Sequence, residues 1–139
     1  MVPIQNTKIV SLISPVAIKD NAAWVTAEID TLGYDYITLV FNIGATDIAI
    51  ADLQVTESST AGSGHADITG ATFAPSATND NTTWAIELDL RKRMRYIDVD
   101  ATSGNGTAGT YMSGVAILSR AGEGVETAAE RGLAGLVQL

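Results

Sequence analysis

The sequence predicts an all-β fold: an antiparallel β-sandwich of about eight strands, jelly-roll-like, with extended terminal arms. Apolar and polar residues alternate with a period of two along much of the 139-residue chain, as in strands with one buried face. Clusters of Gly, Asn, Asp and Ser separate these stretches, as turns between short strands require. No convincing segment of helical period interrupts them before the C-terminal region, and the jelly roll is the eight-strand form of a sandwich.

The strands are placed where this alternation occurs. In segment 34–43, Ile37 and Leu39 lie on one face and the polar residues between them on the other. The predicted strands are, in chain order, residues 8–13, 23–30, 34–43, 49–56, 69–73, 83–90, 95–101 and 110–118. Between the second and third, Thr-Leu-Gly predicts a tight hairpin in which Gly33 takes a positive φ. Residues 58–83 are low in charge and rich in turn formers, which predicts an exposed excursion around the fifth strand.

A chain of 139 residues has the length of a single domain, and we expect a short arm at each end of it. We assign residues 1–8 to an N-terminal arm, 9–119 to the sandwich and 120–139 to a C-terminal tail or arm, with a helical turn or two over 125–131. The tail is rich in Leu and Val, so we expect it to dock on its own domain, a sister subunit or a larger partner. The arm residues predicted to contact a subunit or partner are Val2, Pro3, Ile4, Leu133, Leu136, Val137 and Leu139.

Composition narrows the function classes. Hydrophobic residues make up 46% of the chain, which is too many for a disordered protein. The absence of cysteine removes disulfides, thiolate metal sites and cysteine nucleophiles, and fits a reducing compartment. A net charge of −8 argues against wrapping nucleic acid, whose phosphates would be repelled. Lys8 and Pro15 interrupt the apolar N-terminal stretch, so we expect neither a signal peptide nor a membrane span there.

The segment Gly-Asn-Gly-Thr-Ala-Gly, residues 104–109, matches the dinucleotide fingerprint G-x-G-x-x-G and follows a predicted strand. The fingerprint needs a helix N-terminus to receive the phosphate, and residues 110–118 are predicted to form another strand. No surrounding βαβ unit is visible either. We therefore interpret this segment as a hairpin loop and expect no nucleotide or other cofactor.

A set of oxygen ligands for calcium can be assembled from Asp89, Asp98, Asp100 and the loop at residues 79–81. Asp98 and Asp100 alternate with apolar residues, however, which places them on the solvent side of a strand, where carboxylates keep a face soluble. The spacing also lacks the D-x-[DN]-x-[DN]-G pattern of a calcium loop. We expect no metal site.

His65 is the only histidine and lies in a glycine-rich stretch. General acid–base catalysis usually recruits histidine from a rigid, partly buried setting, and a lone histidine in a loop is more often ordinary surface. No nucleophile elbow accompanies it. The sequence therefore predicts a protein that is not an enzyme.

A basic cluster, Arg91, Lys92, Arg93 and Arg95, contributes half of the eight Lys and Arg residues. Strand parity would put Arg93 and Arg95 on one face and Lys92 on the other, so we place the cluster in the turn between the sixth and seventh strands. Nearby carboxylates make cross-strand pairs available; they are Glu87, Asp89, Asp98 and Asp100. Three interpretations stay open: a solvated turn with local pairing, an intersubunit or partner salt-bridge patch, and a nucleic-acid contact, for which only Tyr96 offers stacking.

Three stretches carry a resemblance to a known family: VSLISPVAIKDNAAWV (10–25), AEIDTLGYDYITLVFNIGATD (27–47) and MRYIDVDATSGNGTAGTYMSGVAILSR (94–120). They give a hairpin around a D-T-x-G-[YF]-D turn, an Arg-Tyr strand, a Gly/Thr loop and a strand of small residues. In this order they resemble the capsid decoration, or cement, proteins of tailed bacteriophages. The motifs are patterns of strands and turns, and residues 121–139 lie outside them.

The resemblance implies a jelly-roll-like sandwich, often trimeric, that sits on the outer capsid surface of the virion after synthesis in the bacterial host cytoplasm. It implies no enzyme activity, no cofactor and no individual functional residue. The expected partners are the major capsid protein and further copies of the chain, with a trimer favoured, and neither nucleic acid nor a membrane. Cement proteins add buried contact between capsid subunits, and many copies multiply a modest interface.

Three rival functions stay open. A carbohydrate-binding sandwich would use Trp24, Tyr34 or Tyr36 as a stacking platform, which requires these rings to lie flat on one outer face. A structural module of the phage tail or fibre would differ only in its place on the virion. A hydrolase would need a cleft that converges on His65.

Overall fold

The computed structural model describes residues 6–121 and residue 129, and eight β-strands lie within them. The strands are β1 (Lys8–Ile13), β2 (Ile29–Asp30), β3 (Tyr34–Thr46), β4 (Asp52–Ser58), β5 (Ala66–Thr72), β6 (Thr82–Asp89), β7 (Tyr96–Thr102) and β8 (Thr110–Ala121). A single 3₁₀ turn, Leu90–Lys92, follows β6. The described residues contain no α-helix.

The strands form two four-stranded antiparallel sheets, in the orders β1-β8-β3-β6 and β2-β7-β4-β5. The predicted all-β sandwich of about eight strands is thereby confirmed. Pairing is nested, because the first strand pairs with the eighth, the second with the seventh, the third with the sixth and the fourth with the fifth. One long hairpin folded over on itself produces this order.

The core lies between the sheets and follows from the alternation in the sequence. Ile37, Leu39 and Phe41 on β3 are fully buried, together with Ile43. The facing sheet contributes Leu53, Val55, Ile97 and Val99, all with at most 2% of their surface exposed. Each such side chain contributes roughly 1.5–3 kcal/mol by leaving water, which explains why the alternating segments form the interior.

The hairpin predicted between segments 23–30 and 34–43 is wrong. β2 pairs with β7 and β3 lies in the other sheet, so residues 31–33 connect the two sheets, although Gly33 does take the predicted positive φ of +90°. Only residues 29–30 of the predicted second strand are strand. The backbone before them bonds alternately to the two sheets, from Trp24 N–H to the Ala101 carbonyl and from Ala27 N–H to the Leu12 carbonyl, and so joins neither ladder fully.

The two ends of the sandwich differ. At one end, which we call the arginine end, β3 and β7 begin, β6 and β8 end, and residues 90–95 cross between the sheets. β1 also begins there, since Lys8 is opposite Leu118. The opposite end, which we call the glycine end, carries residues 103–109. Because these residues join β7 to β8 across the sheets, the predicted hairpin loop at 104–109 is wrong as well.

The predicted arm contacts Val2, Pro3, Ile4, Leu133, Leu136, Val137 and Leu139 lie outside the described residues, as does the predicted helical turn at 125–131. The described chain nevertheless enters at Asn6 and leaves β8 at Ala121, both at the arginine end.

Candidate interaction surface

The basic cluster forms the link between β6 and β7 at the arginine end. Asp89 caps the 3₁₀ turn, since its side chain accepts a 3.1 Å hydrogen bond from Arg91 N–H. The Arg91 guanidinium returns to the same carboxylate through Nε and Nη2, at 2.9 and 2.6 Å. Hydrogen bonding to Arg91 lowers the pKa of the Asp89 carboxyl to about 2.

Arg93 and Arg95 pair with carboxylates on β4 and β2, the two strands that flank β7 in its sheet. Arg93 Nη1 lies 3.2 Å from Glu57 Oε1, and the other Glu57 oxygen accepts a 2.9 Å bond from Met94 N–H. Arg95 donates through Nε and Nη2 to the two Asp30 oxygens, each at 2.8 Å. This contact with Arg95 holds the pKa of the Asp30 carboxyl below its usual value. Three of the four cationic side chains are therefore bound within the subunit.

The carboxylates predicted to pair with the basic cluster are only partly those that do so. Asp89 does pair, but Glu87, Asp98 and Asp100 form no ion pair with a described residue. β6 and β7 belong to different sheets, so their outward carboxylates point away from each other. Glu57 and Asp30 lie 36 and 65 residues from their arginines, a separation that local pattern does not reveal.

Aromatic rings take up the remaining faces of the guanidinium groups. The Arg91 and Arg120 guanidinium groups lie 5.2 and 5.4 Å from the centre of the Tyr36 ring. The Arg95 guanidinium lies 5.1 Å from the Tyr96 ring. The N–H groups of Arg91 and Arg95 donate to carboxylates of the same chain, and the flat faces of their guanidinium groups lie over its tyrosine rings. These side chains therefore have few free donors for the phosphates of a nucleic acid.

Two large apolar side chains are exposed among these charges. Leu32 keeps 67% of its surface exposed and Met94 keeps 45%. Thr31 N–H donates a 3.0 Å bond to the Arg95 carbonyl just beyond the last rung of the β2·β7 ladder, and the chain then turns at Leu32, since Tyr34 N–H donates to the Thr31 carbonyl at 3.1 Å. The arginine end thus exposes two apolar side chains next to residues that form its ion pairs.

The glycine-rich segment holds a carboxylate from its own chain. The N–H groups of Thr107, Ala108 and Gly109 donate to the Asp47 side chain at 2.8, 2.6 and 3.0 Å. Gly106 N–H donates to Asp20 Oδ1 at 2.7 Å. The hydrogen bonds from Ala108 and its neighbours lower the pKa of the Asp47 carboxyl. Like an anion-binding loop, this segment directs several backbone N–H groups at one negative charge, but that charge is the Asp47 carboxylate of the same chain.

The glycines in this loop permit close approach. An ideal Cβ on Gly104 would lie 2.2 Å from the Ala49 carbonyl oxygen, and one on Gly106 would lie 2.4 Å from Asp47 Oδ1. Neither position admits a side chain without displacing the neighbouring segment. Asp47 is not among the sequence-predicted site residues, and the run of glycines is the one signal in the sequence that indicates a close backbone contact there.

The remaining polar candidates are scattered. Asp89 is at the arginine end, whereas Asp80 belongs to the glycine end, where it accepts a 2.8 Å bond from Thr46 N–H. Within the described part of the chain, no three acidic or imidazole side chains are grouped so as to hold a metal ion. His65 is half-buried, with Nε2 3.0 Å from Glu28 Oε2, so it links the β4–β5 loop to the segment before β2 instead of lying free on the surface.

The aromatic residues considered for sugar binding do not form a flat outer row. Trp24 is only 5% exposed and belongs to the core, and Tyr34 packs against it. Tyr34 and Tyr36 are both half-buried, and guanidinium groups cover the Tyr36 ring.

Comparison with known proteins adds no identity. Neither the family models nor the curated proteins contain a match to this chain. Among the described residues, no helix combines the length and the apolar character needed to cross a membrane.

Proposed function

We propose that this chain is a non-enzymatic structural protein of a tailed-bacteriophage virion, a capsid decoration protein that binds the outside of the head and stabilises contacts between capsomers. The observation that carries the proposal is the arginine end. There Leu32 and Met94 are exposed within a frame of ion pairs, where the described chain also enters and leaves. An apolar centre within a polar rim is the usual anatomy of a protein–protein contact.

The fold supports the same proposal. The sheet orders β1-β8-β3-β6 and β2-β7-β4-β5 support a jelly-roll winding of the sandwich, which is part of this proposal. The resemblance in residues 10–120 supplies the class of partner, the major capsid protein, and favours a trimer. The contacts predicted for Lys92, the other cluster residues and the two arms are part of this proposal.

Binding to purified, expanded empty heads tests it. We expect the protein to sediment with heads and to raise the temperature at which they break open. Leu32→Asp should abolish the binding, because it places an unpaired carboxylate at the centre of the contact. Val25→Asp is the matched control, since Val25 is 86% exposed and lies away from the arginine end.

The position of the protein on the virion separates the head from the tail. Antibody-gold labelling of intact particles should decorate heads. Label confined to tails or fibres would favour the tail-module alternative. Wild-type protein that neither binds heads nor alters their stability would overturn the proposal.

A further inference from the structure

The outer face of the β1-β8-β3-β6 sheet is unusually free of charge. Register places β8 residues 111, 113, 115, 117 and 119 outward, since Met112, Ala116 and Leu118 between them point into the core. Outward neighbours across the sheet are aligned in rows. One row runs Ser11, Val115, Val40, Ala85, and the next runs Ile9, Ile117, Thr38, Glu87.

Five aliphatic side chains are therefore contiguous on this face, namely Ile9, Ile117, Val115, Val40 and Ala85. Val115 is 39% exposed, and Tyr111, further along the same strand, is 46% exposed. The positions around them carry hydroxyl or amide groups, at Ser11, Thr38, Asn42, Thr83, Ser113 and Ser119. Charge on this face is confined to its arginine end and to the edge strand β6, where the Arg91 and Arg120 guanidinium groups lie over the Tyr36 ring and Glu87 and Asp89 project outward.

The other sheet has an acidic outer face. Asp98 and Asp100 alternate with buried Ile97 and Val99 on β7, and Asp67 is exposed on β5. A basic partner would be recognised by that face, which supplies the opposite charge. A partner that is itself acidic has to avoid it.

We propose that the outer face of the β1-β8-β3-β6 sheet is the surface through which this chain contacts a second copy of itself. Each copy carries a formal net charge of −8, so two copies repel each other unless they meet where charge is absent. The centres of interfaces are depleted of charged residues, and small β-branched side chains allow two sheets to approach to about 10 Å. This face meets both conditions, and two copies packed face to face form a two-fold dimer, a self-contact distinct from the trimer that the resemblance favours.

The size of the face sets the expected strength. Four strands at about 4.8 Å spacing and nine residues of β8 at about 3.3 Å rise define roughly 570 Å². Two copies together therefore bury on the order of 1,100 Å², which lies at the lower limit for specific complexes. Contacts of this size are typical of weak, transient complexes, so we expect this contact to form and dissociate within an accessible range of concentration.

Sedimentation equilibrium of the full chain between about 1 and 500 μM tests the inference directly. Wild-type protein should self-associate, and Val115→Glu should raise the dissociation constant at least about 30-fold, because two carboxylates would face each other in a desolvated contact. Ala85→Glu, at an exposed position of the same face, should act in the same direction. Thr69→Glu adds the same charge at an exposed position on β5 and should leave association unchanged.

The readouts separate this inference from the proposed function. A wild-type protein that stays monomeric to the highest concentration overturns the inference, and so does an oligomer whose mass is the same in both face variants. Far-UV circular dichroism of each variant verifies that it is folded, and Ala85→Glu provides the answer if Val115→Glu is not. Head binding that persists in a monomeric wild type would sink the self-contact and leave the capsid proposal standing, whereas self-association without head binding would do the reverse.

Discussion

Gly109 is the position where one added methyl group should damage the fold most. Its φ is +100°, and an ideal Cβ there would lie 2.1 Å from the Lys19 carbonyl oxygen. That oxygen accepts a 2.7 Å hydrogen bond from Thr110 N–H, and Lys19 N–H donates to the Thr110 carbonyl at 3.0 Å. Alanine at position 109 has to separate the two segments where these bonds join them.

The expected magnitude follows from these terms. A left-handed backbone costs alanine about 1–2 kcal/mol. Loss of two hydrogen bonds costs about 1 kcal/mol each. The smaller entropy of the unfolded chain offsets roughly 0.4–1 kcal/mol of this. We therefore expect Gly109→Ala to lower the free energy of unfolding by about 2–4 kcal/mol, a large share of the roughly 5–15 kcal/mol that is typical of a domain.

Substitutions at two other glycines measure the cost of backbone strain and the cost of the Cβ collision separately. Gly62 has a φ of +73° with nothing within 4 Å of an added Cβ, so Gly62→Ala tests backbone strain alone and should lower the free energy of unfolding by roughly 0–1.6 kcal/mol. Gly104→Ala tests the collision alone, because its Cβ would meet the Ala49 carbonyl oxygen at 2.2 Å without a left-handed φ. Urea unfolding monitored by tryptophan fluorescence and circular dichroism measures all three. Equal midpoints for Gly109→Ala and Gly62→Ala would refute the close approach of residues 103–109 to Lys19.

Three further predictions concern charge and the tail. The pKa values of Asp47 and Asp89 are lowered in the folded state, so their stabilising contribution is complete above the unfolded value near 4 and is lost as the pH falls through the folded value, about 2 for Asp89. Asp47→Asn should therefore flatten the acid side of a plot of Tm against pH; an unchanged profile would contradict the role of the loop. Replacing Arg91 and Arg93 with Gln should weaken oligomer or capsid contacts in a salt-dependent way, as titrations at two ionic strengths measure, and unchanged affinity would return the cluster to an ordinary solvated turn. Deleting residues 133–139 should weaken assembly more than it lowers Tm, and early melting of the isolated domain would show that these residues belong to its core.

The strands could be predicted because the cause of each strand is local. Alternation in segment 34–43 reflects a single buried face, and β3 covers that whole segment with its apolar residues inside. The partners of the strands could not be predicted in the same way. A turn such as Thr-Leu-Gly reverses the chain equally well within one sheet or from one sheet to the other, and the choice depends on β7, more than sixty residues later in the chain.

In the candidate site, too, the local features could be predicted from the sequence and the contacts between distant residues could not. The clustering of Arg91 to Arg95 in a turn is visible in the sequence, and so is the nearby Asp89. Glu57 and Asp30 come from β4 and β2, the strands on either side of β7, and only the topology brings them to the cluster. In residues 104–109 the glycines correctly indicate converging backbone N–H groups, but the carboxylate that fills them, on Asp47, is 60 residues from the first donor.

Internal pairing also decides how the excess negative charge is distributed. Arg91, Arg93, Arg95 and Arg120 are each bound to a carboxylate of their own chain, which makes the arginine end nearly neutral as a surface. The unpaired carboxylates include those on the outer face of β7, while the β1-β8-β3-β6 face carries almost none. One molecule thus has an acidic face and a neutral face on opposite sides. Because like-charged copies avoid each other through the acidic face, that face must point outward in any assembly that buries the neutral one. In the assembly that we propose, charge orients the subunit, and the aliphatic strip and the exposed side chains of Leu32 and Met94 supply the apolar contact.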